Sequence, residues 1–104
     1  MVGVFFFPFR FTIRSMAKYY ISTQIYYLSG EPHLGHVYTT LCADTLARWH
    51  RLMGDDVFFL TGTDEHGIKM VKTAVDRGIE PRQLADEMAG VFEGLWKELE
   101  VSND

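Results

Sequence analysis

The sequence of 104 residues has one cysteine, Cys42, three prolines, and ten basic residues against fourteen acidic ones, for a formal net charge of −4. Each shortage removes a class of function. A single cysteine allows neither a disulfide framework nor a thiolate zinc site within the chain, and it suits a reducing, cytoplasmic setting. The acidic balance leaves no basic stripe, so most phosphate contacts to any nucleic acid must come from elsewhere. No apolar run approaches the roughly 20 residues that a membrane-spanning helix needs, and no membrane is expected among the partners. Internal repeats, low-complexity tracts and flexible linkers are also missing. What is there is a hydrophobic content of 47% and a charged content of 23%. Those are the proportions of a globular chain, long enough for one small domain and too short for two.

The first fifteen residues, MVGVFFFPFRFTIRS, hold five Phe, two Arg and no acid, a composition unlike the rest. They lack the charged lead and small-residue cleavage site of a secretory signal. An organelle transit peptide, which would make the compartment organellar, is compatible with Arg and no acids, although Pro8 and the Phe run suit an amphipathic helix poorly. Residues 1–15 are therefore expected to be a non-native or unstructured leader, with Met16 as the initiator and 16–104 as the folded portion. At the other end, Glu100–Asp104 (EVSND) carries no structural signal, and the chain looks cut there.

From Lys18 the pattern is readable. Tyr19–Tyr27, "YYISTQIYY", is dense in β-branched and aromatic residues, as a strand requires, and Ser29-Gly30-Glu31-Pro32 breaks it. From His33 onward Leu34, Val37, Tyr38, Leu41, Thr45, Trp49 and Leu52 recur at three- and four-residue intervals, which predicts a helix buried along that stripe. Pro32 suits its first turn, Arg48 and Arg51 its C-terminal dipole, and Gly54 its cap. Cys42, within this helix, is expected in the core. Asp55-Asp56 reads as a solvated turn. The continuous apolar run Val57-Phe58-Phe59-Leu60 predicts a strand buried on both faces. After "TGTDEHG" come a helix over Ile68–Arg77, ended by Gly78, and another from Pro81 with Leu84, Met88, Val91, Phe92, Leu95 and Leu99 on one side.

Strand, helix, strand, helix is a parallel βαβ order, right-handed by rule. It brings "PHLGH" and "TDEHG" to the carboxyl edge of one sheet, where open α/β folds bind ligands. His33 and His36 then admit three readings. As metal ligands they would need a third, for which His66 is the candidate, but no HExxH pattern is present. As structural residues they would satisfy local hydrogen bonds at a helix start. As phosphate donors they would act with the free N–H groups and positive dipole end of the first helical turn, and Gly35 would leave room for a ligand to approach.

The tetrapeptide "HLGH" resembles the HIGH motif of class I aminoacyl-tRNA synthetases, and related nucleotidyltransferases also carry that motif. The longer run from Tyr19 through "TGTDEHG" is similar to the start of methionyl-tRNA synthetases, and the similarity covers about Met16 to Asp104. The resemblance implies an α/β fold, a Rossmann-like (HUP-type) parallel βαβ nucleotide-binding unit incomplete in this chain, with 16–104 as the N-terminal portion of the catalytic domain. It implies that His33, Gly35 and His36 bind ATP and that the two histidines stabilise the transition state. Ile25 and Tyr27 would line a methionine pocket, and Asp64 would hold the methionine ammonium. Gln24 stands where many relatives have proline, so the turn into that pocket loses a fixed φ. Glu65 and His66 receive only supporting hydrogen bonds, and no metal ligand is assigned.

The implied activity is methionine–tRNA ligation. The methionine carboxylate attacks the α-phosphate of Mg2+-bound ATP, giving methionyl-adenylate, and tRNA(Met) takes the methionyl group. The family's KMSKS loop, its remaining strands, its connective insertion and its anticodon-binding domain are not in this sequence. The alternative is a catalytically inactive nucleotide-binding fragment or another HIGH-motif nucleotidyltransferase.

Overall fold

The structure, a computed structural model, describes residues 16–104; the leader expected over residues 1–15 lies outside the described residues. Five elements follow in order: β1 (Lys18–Tyr27), α1 (Leu34–Leu52), β2 (Asp56–Asp64), α2 (Ile68–Arg77) and α3 (Pro81–Glu98). β1 and β2 pair in parallel, from Lys18 opposite Asp56 to Tyr27 opposite Asp64. A parallel pair needs a crossover, and α1 is that crossover. The punctuation falls where the sequence predicts it. Gly54 follows α1 at φ 86° and Gly78 ends α2 at φ 68°, both left-handed positions that glycine takes without strain.

The register contains one irregularity that decides which side chains face the helices. Ser22 pairs with Leu60 and Ile25 with Gly62, so Thr23 and Gln24 together face the single residue Thr61. This is a β-bulge, and the extra residue inverts the alternation of the strand beyond it. Before the bulge Tyr19 and Ile21 point inward with Val57 and Phe59; after it Tyr26 turns inward, fully buried, while Ile25 and Tyr27 turn outward. The Thr23 hydroxyl fastens the bulge, donating to the Gln24 carbonyl at 2.8 Å and meeting the Thr61 hydroxyl at 2.7 Å. Gln24 thus occupies a bulge, one of the few strand positions that tolerates proline.

The inner face is covered in two patches. Toward the carboxyl edge Tyr26 and Leu28 pack with Leu84, Met88, Phe92 and Trp96 of α3 and with Met70 and Ala74 of α2. Toward the opposite edge Phe59 packs against Ala43 and Ala47 of α1, flanked by Ile21, Val57 and Val101. Of the expected stripe of α1 only Val37 packs against the core; the buried face is a different one. Thr40, Ala43, Asp44 and Ala47 are buried, while Leu34, Tyr38, Leu41, Trp49 and Leu52 are 37–83% exposed. Both stripes have helical spacing. The small-residue stripe lets the helix lie close on the sheet, and a stripe of Leu and Trp would hold it away. Cys42 is exposed rather than in the core. The α3 expectation fares better: Leu84, Met88 and Phe92 are buried, although Val91 and Leu99 are not.

Two further expectations change. Phe58 and Leu60 are 50% and 43% exposed, because helices cover only one face of the two-stranded sheet among the described residues. Asp55 is no solvated turn residue: its side chain is 6% exposed and meets His50 Nδ1 at 2.7 Å.

The stretch Glu100–Asp104 is an organised edge cap. The Asp104 amide donates to the Phe59 carbonyl at 2.9 Å, and the Phe59 amide donates to Asp104 Oδ2 at 2.7 Å. One residue thereby satisfies both backbone groups that Phe59 presents on the free edge of β2. Arg51 of α1 donates to the Ser102 carbonyl and hydroxyl and to Asp104 Oδ2, at 3.1, 2.7 and 3.1 Å.

Candidate functional site

The loop after β1 ends in a helix cap built from two imidazoles. His33 is the N-cap of α1, with extended backbone (φ −129°, ψ 175°). Its Nδ1 accepts from the Gly35 amide at 3.1 Å, and His36 Nδ1 accepts from the His33 amide at 3.0 Å. This is the reciprocal arrangement of a capping box, with imidazole nitrogens in place of the usual hydroxyl and carboxylate. A ring nitrogen that accepts an N–H carries no proton, so each neutral ring has its proton on Nε2. The structural and phosphate readings of these residues are therefore compatible. One nitrogen of each ring closes the helix start, and the other is left as an oriented donor.

The two rings lie 3.8 Å apart between centroids. His36 is half-buried, edge-on to Tyr26 at 4.8 Å and to Phe92 at 5.3 Å. Behind it the Tyr26 hydroxyl meets the Thr40 hydroxyl at 2.8 Å. Burial, and then the neighbouring His33, hold the His36 pKa below the ordinary 6.5, which keeps the ring neutral near pH 7. The back wall of Tyr26, Phe92 and Thr40 is not legible in the sequence, since it joins three elements. Gly35 has a structural part besides the room for a ligand expected of it. A Cβ there would sit 2.9 Å from His33 Cε1, so the space beside the glycine holds the His33 ring, and glycine is what lets that ring cap the helix.

The second group of residues lies on the outer face at the same edge. The bulge turns Ile25 and Tyr27 outward, 61% and 64% exposed, and their register partners are Gly62 and Asp64. A cleft of about 440 Å³ lined by Gln24, Ile25, Tyr26, Tyr27 and His36 joins the end of β1 to the capped histidine. A second, of about 460 Å³, runs from Tyr27 and Ser29 to His66 and the start of α2. Asp64 Oδ1 accepts from the His66 amide at 3.1 Å. The N-cap of α2 is Gly67, with no side-chain cap bond, so Asp64 does not cap the helix that follows it. His66 takes part through its backbone, and Glu65 is exposed. Among the described residues no three His, Cys, Asp or Glu side chains are grouped to hold a metal ion, which leaves the histidine pair without His66 as a third ligand.

The structure thus gathers His36, Ile25 and Tyr27 around one cleft, sets the His33 ring against that of His36, and pairs Asp64 in register with Tyr27. The arrangement offers neutral N–H donors and a helix N-terminus on one side of the edge and a carboxylate on the other. It suits a ligand that carries phosphate at one end and an ammonium at the other.

The family profile of class I tRNA synthetases (M) matches residues 19–104. The chain is 55% identical over 87 residues to a methionine–tRNA ligase of Thermotoga maritima, covering 84% of this chain and 14% of that one. It is 52% identical over 90 residues to a methionine–tRNA ligase of Mesorhizobium japonicum, covering 86% and 17%. A solved structure of Mycobacterium tuberculosis methionyl-tRNA synthetase in complex with methionyl-adenylate superposes with a TM-score of 0.84 at 42% identity, covering 86% of this chain and 18% of that one. The chain spans about one sixth of the length of these relatives.

Proposed function

The chain belongs to the class I tRNA synthetases of the methionine type, and we propose that residues 16–104 are the N-terminal portion of a catalytic domain that activates methionine with ATP and charges tRNA(Met). ATP enters as a substrate with its Mg2+. His33 and His36 direct their Nε2–H donors at phosphate oxygens, where negative charge grows as the methionine carboxylate attacks the α-phosphate. Donors already oriented toward that charge need no reorganisation during the reaction. The N-terminus of α1 adds its amides and dipole to the same end. Ile25 and Tyr27 flank the thioether side, and Asp64 Oδ2 receives the ammonium, which fixes where the carboxylate points. No protein nucleophile is required.

The observation that carries this reading is the imidazole capping box, because it sets the tautomer that phosphate needs. The test joins this segment to the remainder of a family catalytic domain and measures methionine-dependent ATP–pyrophosphate exchange. Exchange that requires methionine, and that is lost with the Nε2–H of His36, supports it; exchange driven equally by leucine or valine contradicts the substrate.

Because this sequence supplies one half of the phosphate clamp, and Phe58 and Leu60 are uncovered among the described residues, the isolated 104-residue chain is expected to bind nucleotide weakly and to form no adenylate. The compartment we propose is the cytoplasm. No helix among the described residues is long and apolar enough to cross a membrane, and tRNA contacts are assigned mostly to regions absent from this sequence.

A further inference from the structure

Asp44 lies on α1, and its carboxylate is nearly buried, at 9% side-chain exposure. It is not an isolated charge. Its Oδ2 accepts from Arg48 Nε at 2.7 Å, and its Oδ1 accepts from the Ser102 amide at 2.7 Å and the Ser102 hydroxyl at 2.5 Å. Arg48 also donates to the Glu100 carbonyl. Two residues after Ser102, Asp104 grips both backbone groups of Phe59. Asp44 is thereby linked to β2 through residues 100–104.

The apolar packing at this position supplies little that could do the same. The buried face of α1 is Thr40, Ala43 and Ala47 around Asp44. Small side chains against Phe59 present a shallow surface, and dispersion contacts are not directional. Hydrogen bonds to a carboxylate are directional, and those to a buried one are costly to leave unmade. The Thr40–Tyr26 hydroxyl pair, at 2.8 Å, ties the first half of α1 to β1, and the polar link at Asp44 ties the second half to β2, so the two together define where the helix sits. That placement is read out at the other end of α1, where His36 meets Tyr26 of β1 and Phe92 of α3.

We infer that Asp44 is a positioning residue, which through Ser102 and Asp104 holds α1 in the one placement that seats His36 against Tyr26 and Phe92. Its functional meaning rests on the phosphate-site reading above. Its structural content does not, since it can be read on His36 without any nucleotide.

The test uses the 104-residue chain with 15N-labelled histidine and compares it with Asp44→Asn and, because that variant may fold poorly, with the milder Ser102→Ala. His33 is the titratable neighbour of His36 on its own helix, β1 presents the Tyr26 hydroxyl, and α3 presents the uncharged Phe92 ring. In both variants the His36 titration midpoint should rise toward the ordinary imidazole value as the ring loses its seat, and its cross-peaks to Phe92 should weaken. Amide exchange at Phe59 should quicken by about tenfold or more, as loss of a bond to a charged group implies. Asp44→Glu should restore the His36 midpoint in part. A folded variant with a lower melting temperature, but with His36 titration and Phe92 cross-peaks unchanged, would overturn the inference and leave Asp44 with stability alone.

Discussion

In the loop that follows β1, two histidine side chains are tied to backbone amides, and the helix beyond them starts with a closed cap. In the loop that follows β2 the relation is reversed: Asp64 uses one oxygen on the His66 amide, the His66 ring is left out of it, and α2 begins at Gly67 with no side-chain cap. Both loops end at the same sheet edge, and their difference matches the tasks proposed for them. Donors aimed at a transition state are most effective when they cannot turn away, so the phosphate side is locked. An acid proposed to receive an ammonium needs an oxygen left over, and Asp64 commits only one to the loop.

The sharpest break in that comparison comes from His36→Asn. The asparagine oxygen can take the place of Nδ1 and keep the cap, while the Nε2–H is lost. In a complete catalytic domain, ATP–pyrophosphate exchange should slow by about 10²–10³, the roughly 2.7–4 kcal/mol typical of one oriented donor, with the methionine KM nearly unchanged. A comparable loss in methionine affinity would place His36 on the wrong substrate.

Asp64→Ala tests the loop after β2. A charge-assisted bond is worth roughly 1.5–3 kcal/mol, so kcat/KM for methionine should fall about ten- to a hundredfold through both kcat and KM, and ATP affinity should hold. Because Asp64 does not cap α2, thermal stability should change little. A drop in melting temperature with normal methionine kinetics would mean that Asp64 is structural.

These two residues also show how far the sequence carries. The five elements, their parallel order and the meeting of both loops at one edge follow from local periodicity, Gly and Pro, all of which act over a few residues. The bulge at Thr23–Gln24 does not, because "YYISTQIYY" is apolar or β-branched on both sides and an inverted alternation leaves no trace in such a strand. The buried face of α1 was hidden for a related reason. Leu, Tyr and Trp outweigh Ala in any hydrophobic pattern, yet close approach to the sheet selects the alanines. Asp44 looks like an ordinary helix-surface acid until Ser102, 58 positions away, is folded onto it.

A smaller effect is expected from Gly35→Ala. Alanine favours the helix by up to about 1 kcal/mol, but its Cβ displaces the His33 ring and costs the cap by roughly the same amount. Stability should therefore stay within about 1 kcal/mol in denaturant unfolding, while nucleotide binding weakens. Unchanged nucleotide binding would show that the His33 ring need not be held.

Acid should separate the loop region from the opposite half of the chain by a still smaller margin. The folded state lowers the pKa of His36, so the stability from this site is full above the ordinary 6.5 and is lost as pH falls through the folded value. For Asp44, burial pushes the pKa up, but hydrogen bonds from Ser102 and Arg48 outweigh it and hold the group below the ordinary 3.8. Its contribution is full above that value and is lost only at lower pH. Hydrogen exchange along a pH series should show the His33 amide, which His36 Nδ1 holds, opening first and the Phe59 amide later; the reverse order would contradict both assignments.

The central claim, that the helix cap fixes the two imidazoles as Nε2–H donors for phosphate, is tested most directly by long-range proton–nitrogen correlation of the histidine rings, without and with ATP. The account predicts that His33 and His36 both show unprotonated Nδ1 and protonated Nε2 at pH 7.5, and that ATP shifts their Nε2 signals while leaving Nδ1 in place. Protonated Nδ1 on either ring, or ATP-induced shifts confined to His66, would contradict it.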